Sequence, residues 1–260
     1  MTPSALEAHL RTERDRGRKL LVPYITGGLG PDWLSIVRAV VAAGADAVEI
    51  GIPFSDPAMD GPVIEEASHR ALVGGATPLG IIAALRDVDV GVPLVAMTYY
   101  NLVFRTGLDR FARSLIAGGV SGAIVPDLPL EELDDWAAAA GAAGVDTVLL
   151  ASPVTPDERL ERICARARGY IYGVSLMGVT GERGTVATTA STMARRLKAV
   201  TDKPVLIGFG VSTPEQAVTI CEDADGVIVG TALIRRILDG EGPDGVGEAV
   251  SAMRAALDRG

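Results

Sequence analysis

Short apolar, β-branched runs alternate with Ala-, Leu- and Arg-rich stretches of helical period along nearly the whole chain, and this alternation constrains the fold most. Strands are expected near Leu20–Ile25, Asp46–Gly51, Leu94–Thr98, Gly122–Val125, Asp146–Ala151, Tyr170–Ser175, Val205–Gly208 and Gly226–Val229. Helical stretches lie between them, among them Leu34–Ala43, Leu108–Ala117, Glu131–Ala143 and Pro214–Glu222. Several end in glycine just ahead of the next strand, as in Ala-Gly-Ala-Asp at 43–46, Ala-Gly-Gly-Val at 117–120 and Ala-Gly-Val-Asp at 143–146. That is the glycine stop of an α-helix. Near-continuous apolar strands in strict alternation with helices imply a parallel sheet covered by helices. Eight such units in 260 residues imply a (β/α)8 TIM barrel with an added N-terminal helix, spanning 1–260 as a single domain. A doubly wound open sheet is the alternative, and the count of eight favours the barrel.

The strand spacing breaks twice. The unit after strand 2 is about 47 residues long and the unit after strand 6 about 34, against values in the twenties elsewhere. The βα loops of a barrel form its catalytic face, so both long units are suspect. The first holds PFSDPAMDGP (53–62), and the second MGVTGERGTVATT (177–189), which is read as a loop able to act as a lid.

Composition narrows the chemistry. The net charge is −9 and no Lys/Arg run is present, which disfavours nucleic-acid binding. Every apolar run is broken well short of the roughly 18 residues a membrane helix needs. The charged N-terminal stretch lacks the apolar centre of a signal peptide, so a cytoplasmic location is expected. Cys164 and Cys221 fall in separate helical patterns and read as reduced, buried side chains. With His9 and His69 the only histidines, no metal-ligand spacing exists, and no metal is expected.

Two carboxylates stand out. In AVEIG, residues alternate between faces, so Ala47, Glu49 and Gly51 share one side and Val48 and Ile50 the other. The aliphatic pair suits the helix-packed outside, which turns Glu49 into the barrel, where desolvation raises a carboxyl pKa toward neutrality. A rim glutamate paired with a base is the alternative. Asp56 and Asp60 lie in a loop stiffened by Pro53, Pro57 and Pro62, and on local pattern either is equally a turn-former or helix cap. Glycines follow the last two strands, at Gly208-Phe209-Gly210 and Gly230-Thr231, where barrels recurrently bind phosphate. Tyr24, Met97, Tyr99, Tyr172 and Phe209, all read as strand-end residues, are candidates to line a pocket for a flat substrate.

These segments resemble the α subunit of tryptophan synthase. LVPYITGG, GADAVEIGIPFSDPAMDGPVI, TYYNLVF, GAIVPDLPLEE, MGVTGERG, GFGVSTPEQ and ADGVIVGTALI carry the resemblance, in order and over nearly the whole chain. It implies retro-aldol cleavage of indole-3-glycerol phosphate to indole and glyceraldehyde 3-phosphate. It implies that Glu49 carries the proton and that Asp60 holds the indole N–H. Gly181, Gly210, Gly230 and Thr231 resemble phosphate-binding positions. Thr180 resembles the residue that meets Asp56 on loop closure and also falls in the substrate site. Tyr24, Met97, Tyr99, Tyr172 and Phe209 fall at substrate-pocket positions. The resemblance further implies a pyridoxal-phosphate β subunit as partner in an αββα complex, with the 53–60 loop near the interface and no cofactor in this chain. Three departures are the first loop TGGLGPDW, Leu176 where many relatives have Arg, and Thr231 where Ser is common. Thr231 keeps the hydroxyl, whereas the other two bear on loop motion and signalling to the partner. A free-standing indole lyase, a weakly catalytic activating subunit and another sugar-phosphate barrel enzyme are the competing readings. The intact acids disfavour the second and the EIGIPFSDPAMDGP segment the third.

Overall fold

The computed structural model describes residues 4–88, 90–175, 183–208 and 210–260. Eight parallel strands close into a barrel in chain order: β1 (Leu20–Thr26), β2 (Val48–Gly51), β3 (Leu94–Met97), β4 (Val120–Ile124), β5 (Asp146–Ala151), β6 (Ile171–Val174), β7 (Val205–Gly208) and β8 (Gly226–Val229), with β8 pairing back onto β1. Helix α1 (Ala5–Asp15) precedes β1 and α2 (Trp33–Ala42) follows it. Two helices, α3 (Pro62–Val73) and α4 (Pro78–Leu85), fill the long unit after β2. Next come α5 (Tyr100–Thr106), α6 (Leu108–Ala117), α7 (Asp134–Ala143), α8 (Asp157–Arg166), α9 (Arg183–Lys198) and α10 (Pro214–Cys221). After β8 the chain ends in α11 (Thr231–Leu238) and α12 (Pro243–Leu257).

All eight expected strands are present, with edges displaced by a residue or two. Two helical boundaries differ from expectation. The stretch expected as one helix over Glu131–Ala143 opens with a separate 3-10 turn at Leu130–Glu132 before α7 begins at Asp134. The expected loop 177–189 is also too long: α9 begins at Arg183, so 183–189 are helical, and 177–182 lie outside the described residues. Thr and Val lower helix propensity only slightly, and packing overrides it. Ala190, Met193, Ala194 and Leu197 recur at helical spacing and are buried, which fixes α9 on the barrel.

Period two sorts the strand residues as expected. Val48 and Ile50 pack outward in the cluster shared with the helices, while Ala47, Val95, Ile124, Val148, Tyr170, Tyr172 and Leu206 form a second cluster inside the barrel. Leu6 and Leu10 of α1 belong to that inner cluster and are fully buried. Helix α1, capped by Ser4, therefore closes the floor of the barrel. Three aspartates pin the same end of the strands. Asp46 accepts from the backbone N–H of Leu21 at 2.8 Å and pairs with Arg18 and Arg254. Asp225 accepts from Val205 N–H at 2.9 Å and pairs with Lys198. Asp146 pairs with Arg168 and accepts from the Ser4 hydroxyl.

The Asp46–Arg254 pair is almost wholly removed from water, with side-chain exposures of 4% and 7%. Removing Asp46 leaves the buried Arg254 with the half-exposed Asp258 and the Lys19 carbonyl alone, and breaking a buried pair typically costs about 3–5 kcal/mol. Asp46→Ala is expected to lower unfolding stability by that order in a urea titration. Turnover of the folded fraction should be unchanged, because the pair lies at the floor and the functional groups at the mouth.

Candidate active site

Glu49 projects from β2 into the barrel, in register with Tyr24 on β1 and Val95 on β3. It is fully buried. The Tyr170 hydroxyl donates to its Oε1 at 2.6 Å, and Oε2 has no hydrogen-bond partner among the described residues. Burial lifts the Glu49 carboxyl from the ordinary 4.5 to about 8, against the opposing pull of the Tyr170 hydrogen bond. Tyr170 is itself pushed far up, by burial and then by the Glu49 charge, so it stays a phenol and a donor. Sequence reasoning missed Tyr170. The signal was available, since Tyr170, Tyr172 and Val174 share one face of β6 and its approach, and all three line the barrel interior.

Asp60 ends the loop that leaves β2. Gly61 is the N-cap of α3 and Pro62 its first residue, so Asp60 is not the helix cap. The Tyr99 hydroxyl donates to Asp60, accepts from the Met59 backbone N–H at 3.1 Å, and stacks its ring on Phe54 at 5.2 Å. Half-burial raises the Asp60 carboxyl to about 6, opposed by that Tyr99 bond and reinforced by the Glu65 charge. Tyr99 thus holds Asp60 from behind and does not line the cavities described below. Asp56 is exposed and accepts from the Ser55 hydroxyl at 2.5 Å.

A cavity of about 130 Å³ brings together Tyr24, Glu49, Asp60, Met97, Tyr172, Gly210, Gly230 and Thr231. Tyr172 lies within β6, one layer deeper than the strand-end position expected for it. A wider apolar chamber of about 670 Å³ shares Asp60, Gly61 and Gly210 and extends past Val125, Pro126 and Leu150. One end of the smaller cavity is formed by Gly230 and Thr231. Gly230 is the N-cap of α11 and supplies no side-chain cap, so the positive end of that helix faces the cavity. By contrast, α10 is closed by a reciprocal cap between Thr213 and Gln216. Gly210 has φ 90°, a conformation that favours glycine and keeps the backbone free to approach a ligand. Thr180, Gly181 and Phe209 lie outside the described residues.

The chain matches the family described as tryptophan synthase alpha chain over residues 10–256. It is 43% identical to the tryptophan synthase alpha chain of Thermobifida fusca over 264 residues, covering 99% of this chain and 97% of the relative. It is 42% identical to that of Halorhodospira halophila, covering 98% and 97%. Among solved structures, tryptophan synthase of Mycobacterium tuberculosis in space group F222 superposes with a TM-score of 0.91 at 37% identity, covering 98% of this chain and 99% of that one. Tryptophan synthase subunit alpha of Legionella pneumophila gives 0.89 at 35%, covering 99% and 100%.

The burial of Glu49 has a sign that can be measured. Between 4.5 and about 8 the folded chain keeps a proton that the unfolded chain has lost, so this group's stabilisation is lost as pH rises through that window. Asp60 acts in the same direction but only up to about 6. From pH 6.5 to 8.5, wild type should therefore lose about 2 kcal/mol more than Glu49→Gln in paired urea titrations. Equal slopes for the two chains would show that Glu49 is not held neutral.

Proposed function

The chain belongs to the tryptophan synthase alpha chain family, and we propose that Glu49 and Asp60 carry its reaction, the cleavage of indole-3-glycerol phosphate to indole and glyceraldehyde 3-phosphate. One observation carries the assignment. A fully buried carboxyl, tied at one oxygen and without a partner among the described residues at the other, shares a cavity with a second acid and with the N-terminus of a helix. The phosphate would sit on Gly210, Gly230 and Thr231, with Gly181 completing the pocket. The indole would extend into the apolar chamber beside Pro126 and Leu150.

The chemistry requires one proton to arrive and another to leave. Glu49, protonated near neutral pH, delivers its proton to indole C3. The ring becomes an indolenine cation, and the charge spreads to the ring nitrogen. Asp60, already ionised, accepts the N–H hydrogen bond and stabilises that charge where little water screens it. The same Glu49 carboxylate then takes the proton of the glycerol hydroxyl next to the scissile bond. The C–C electron pair returns to the ring, leaving indole and an aldehyde, and Glu49 ends protonated as it began. Tyr170 orients the carboxyl throughout, and Tyr99 holds Asp60. Thr180 would meet Asp56 when the loop closes. Tyr24, Met97, Tyr172 and Phe209 would bound the substrate.

The chain would act as one domain in the cytoplasm, hold no cofactor itself, and pass indole to a pyridoxal-phosphate-dependent β subunit in an αββα complex. Among the described residues no helix is long and apolar enough to cross a membrane. The solvent-facing Met59, 43% exposed, on the Asp60 loop and Phe104, 65% exposed, on α5 offer apolar surface for that partner.

An indole-release assay tests the assignment. Glu49→Gln should lose at least about a thousandfold in kcat while still binding substrate, since general acid–base groups contribute on the order of 10²–10⁴. Turnover near the wild-type rate would remove Glu49 from the mechanism. The pH profile of kcat/KM should be bell-shaped. It should rise as Asp60 ionises near 6 and fall as Glu49 loses its proton near 8. Asp60→Asn should abolish the rising limb and leave the falling one.

A further inference from the structure

We propose that the Tyr24 hydroxyl grips the glycerol portion of the substrate, between the phosphate pocket and Glu49, and that Gly51 is glycine in order to seat it. The inference rests on the lyase reading of the site and adds a polar contact to it. Strand β1 pairs with β2 on one side and β8 on the other. Its inward residues therefore stand between the strand that carries the acid and the strand whose end forms the anion pocket. Tyr24 is in register with Glu49, and its neighbour Pro23 is in register with Val229, just before Gly230.

The ring spans that gap. At its root, a Cβ added to Gly230 would meet Tyr24 Cβ at 3.4 Å and Cγ at 3.6 Å. At its tip, a Cβ added to Gly51 would overlap the phenolic oxygen and come within 2.8 Å of Cε2. Tyr24 thus runs from the N-cap of α11 to the last residue of β2, along the path a substrate takes from its phosphate to its scissile bond. It is buried, 8% exposed, and lines the cavity that holds both acids. Burial, and then the Asp60 charge, push its ionisation up; a hydrogen bond from the Thr26 hydroxyl to the phenol oxygen opposes this and the Glu49 charge adds to it, so the O–H remains a donor.

Donor and acceptor chemistry selects the target. A phenol O–H needs an acceptor, and the indole ring offers only an N–H donor, which Asp60 is placed to take. Among the substrate's own groups, the glycerol oxygens are the acceptors within the span of the ring. A phenylalanine at this position would keep the packing and lose the contact.

Tyr24→Phe in the full chain tests this, with thermal melting to confirm that the variant folds. Glycerol 3-phosphate should bind about tenfold more weakly, while inorganic phosphate and indole bind within about twofold of wild type. KM for indole-3-glycerol phosphate should rise about tenfold with kcat little changed, the pattern of a contact made equally in ground and transition states. Unchanged binding of glycerol 3-phosphate would overturn the proposal and leave the ring as packing. Weakened binding of indole alone would overturn it too. Gly51→Ala, which displaces the hydroxyl, should give the same selective loss, and wild-type binding of glycerol 3-phosphate by that variant would overturn the role given to Gly51. A wild-type chain that releases no indole would instead overturn the lyase reading, so the two failures are distinguishable.

Discussion

The fully buried carboxyl of Glu49, inside the barrel, sets the terms for the rest of the site. Ionised, Glu49 would face the desolvation cost of a charge in a low-dielectric interior, with one oxygen unpartnered among the described residues. Neutral, it satisfies its surroundings with the Tyr170 bond and retains a proton to give. The dryness that enforces this state is built from below. Leu6 and Leu10 of α1 close the floor of the inner cluster. The added N-terminal helix, remote from the chemistry, is therefore part of what holds the acid near neutral pH.

The two acids differ because different elements carry them. Glu49 stands on a strand hydrogen-bonded on both sides, where its position is fixed before substrate arrives. Asp60 stands on a proline-stiffened loop, half-buried, with Tyr99 as its tether. Its ionised form is reached about two pH units earlier than that of Glu49. Near neutrality one acid is charged and the other is not, and acid–base division of labour needs that condition. A phosphate in the same cavity would repel Asp60. The helix terminus at Gly230 would offset that repulsion by drawing the phosphate to β8, across β1 from the strand that leads to Asp60.

Much of this was legible in the sequence because period and position are local signals. The alternation of Val48, Glu49 and Ile50 set which side chain entered the barrel. The glycines after strands 7 and 8 were expected at an anion site by their ordinal place, and Gly210 and Gly230 do line one cavity with both acids. What stayed hidden depended on contacts between distant segments. Tyr170 is 121 residues from Glu49, and nothing near either one announces the bond. Tyr99 looked like a pocket residue because strand-end aromatics often are, whereas its ring is taken up by Phe54 and its hydroxyl by the 53–60 loop. The start of α9 was misplaced for another reason. Its Thr-rich first turns resemble a loop locally, and the burial of Ala190 through Leu197 that fixes the helix is a tertiary fact.

The two ends of the barrel solve opposite problems with opposite residue types. At the floor, Asp46, Asp146 and Asp225 add groups that bind neighbouring segments together. At the mouth, the strands end by removing them. Gly51 closes β2 and Gly208 closes β7, and a Cβ at either would overlap a tyrosine hydroxyl, Tyr24 in the first case and Tyr172 in the second. Those tyrosines approach from β1 and β6, so each glycine accommodates a side chain delivered by an adjacent strand. The pocket is thus shaped in pairs, a large aromatic on one strand set by the absence of a side chain on the next. In such a pair a substitution at the glycine acts on the substrate through the tyrosine. That coupling places Gly51, which carries no functional group, among the determinants of what the pocket holds.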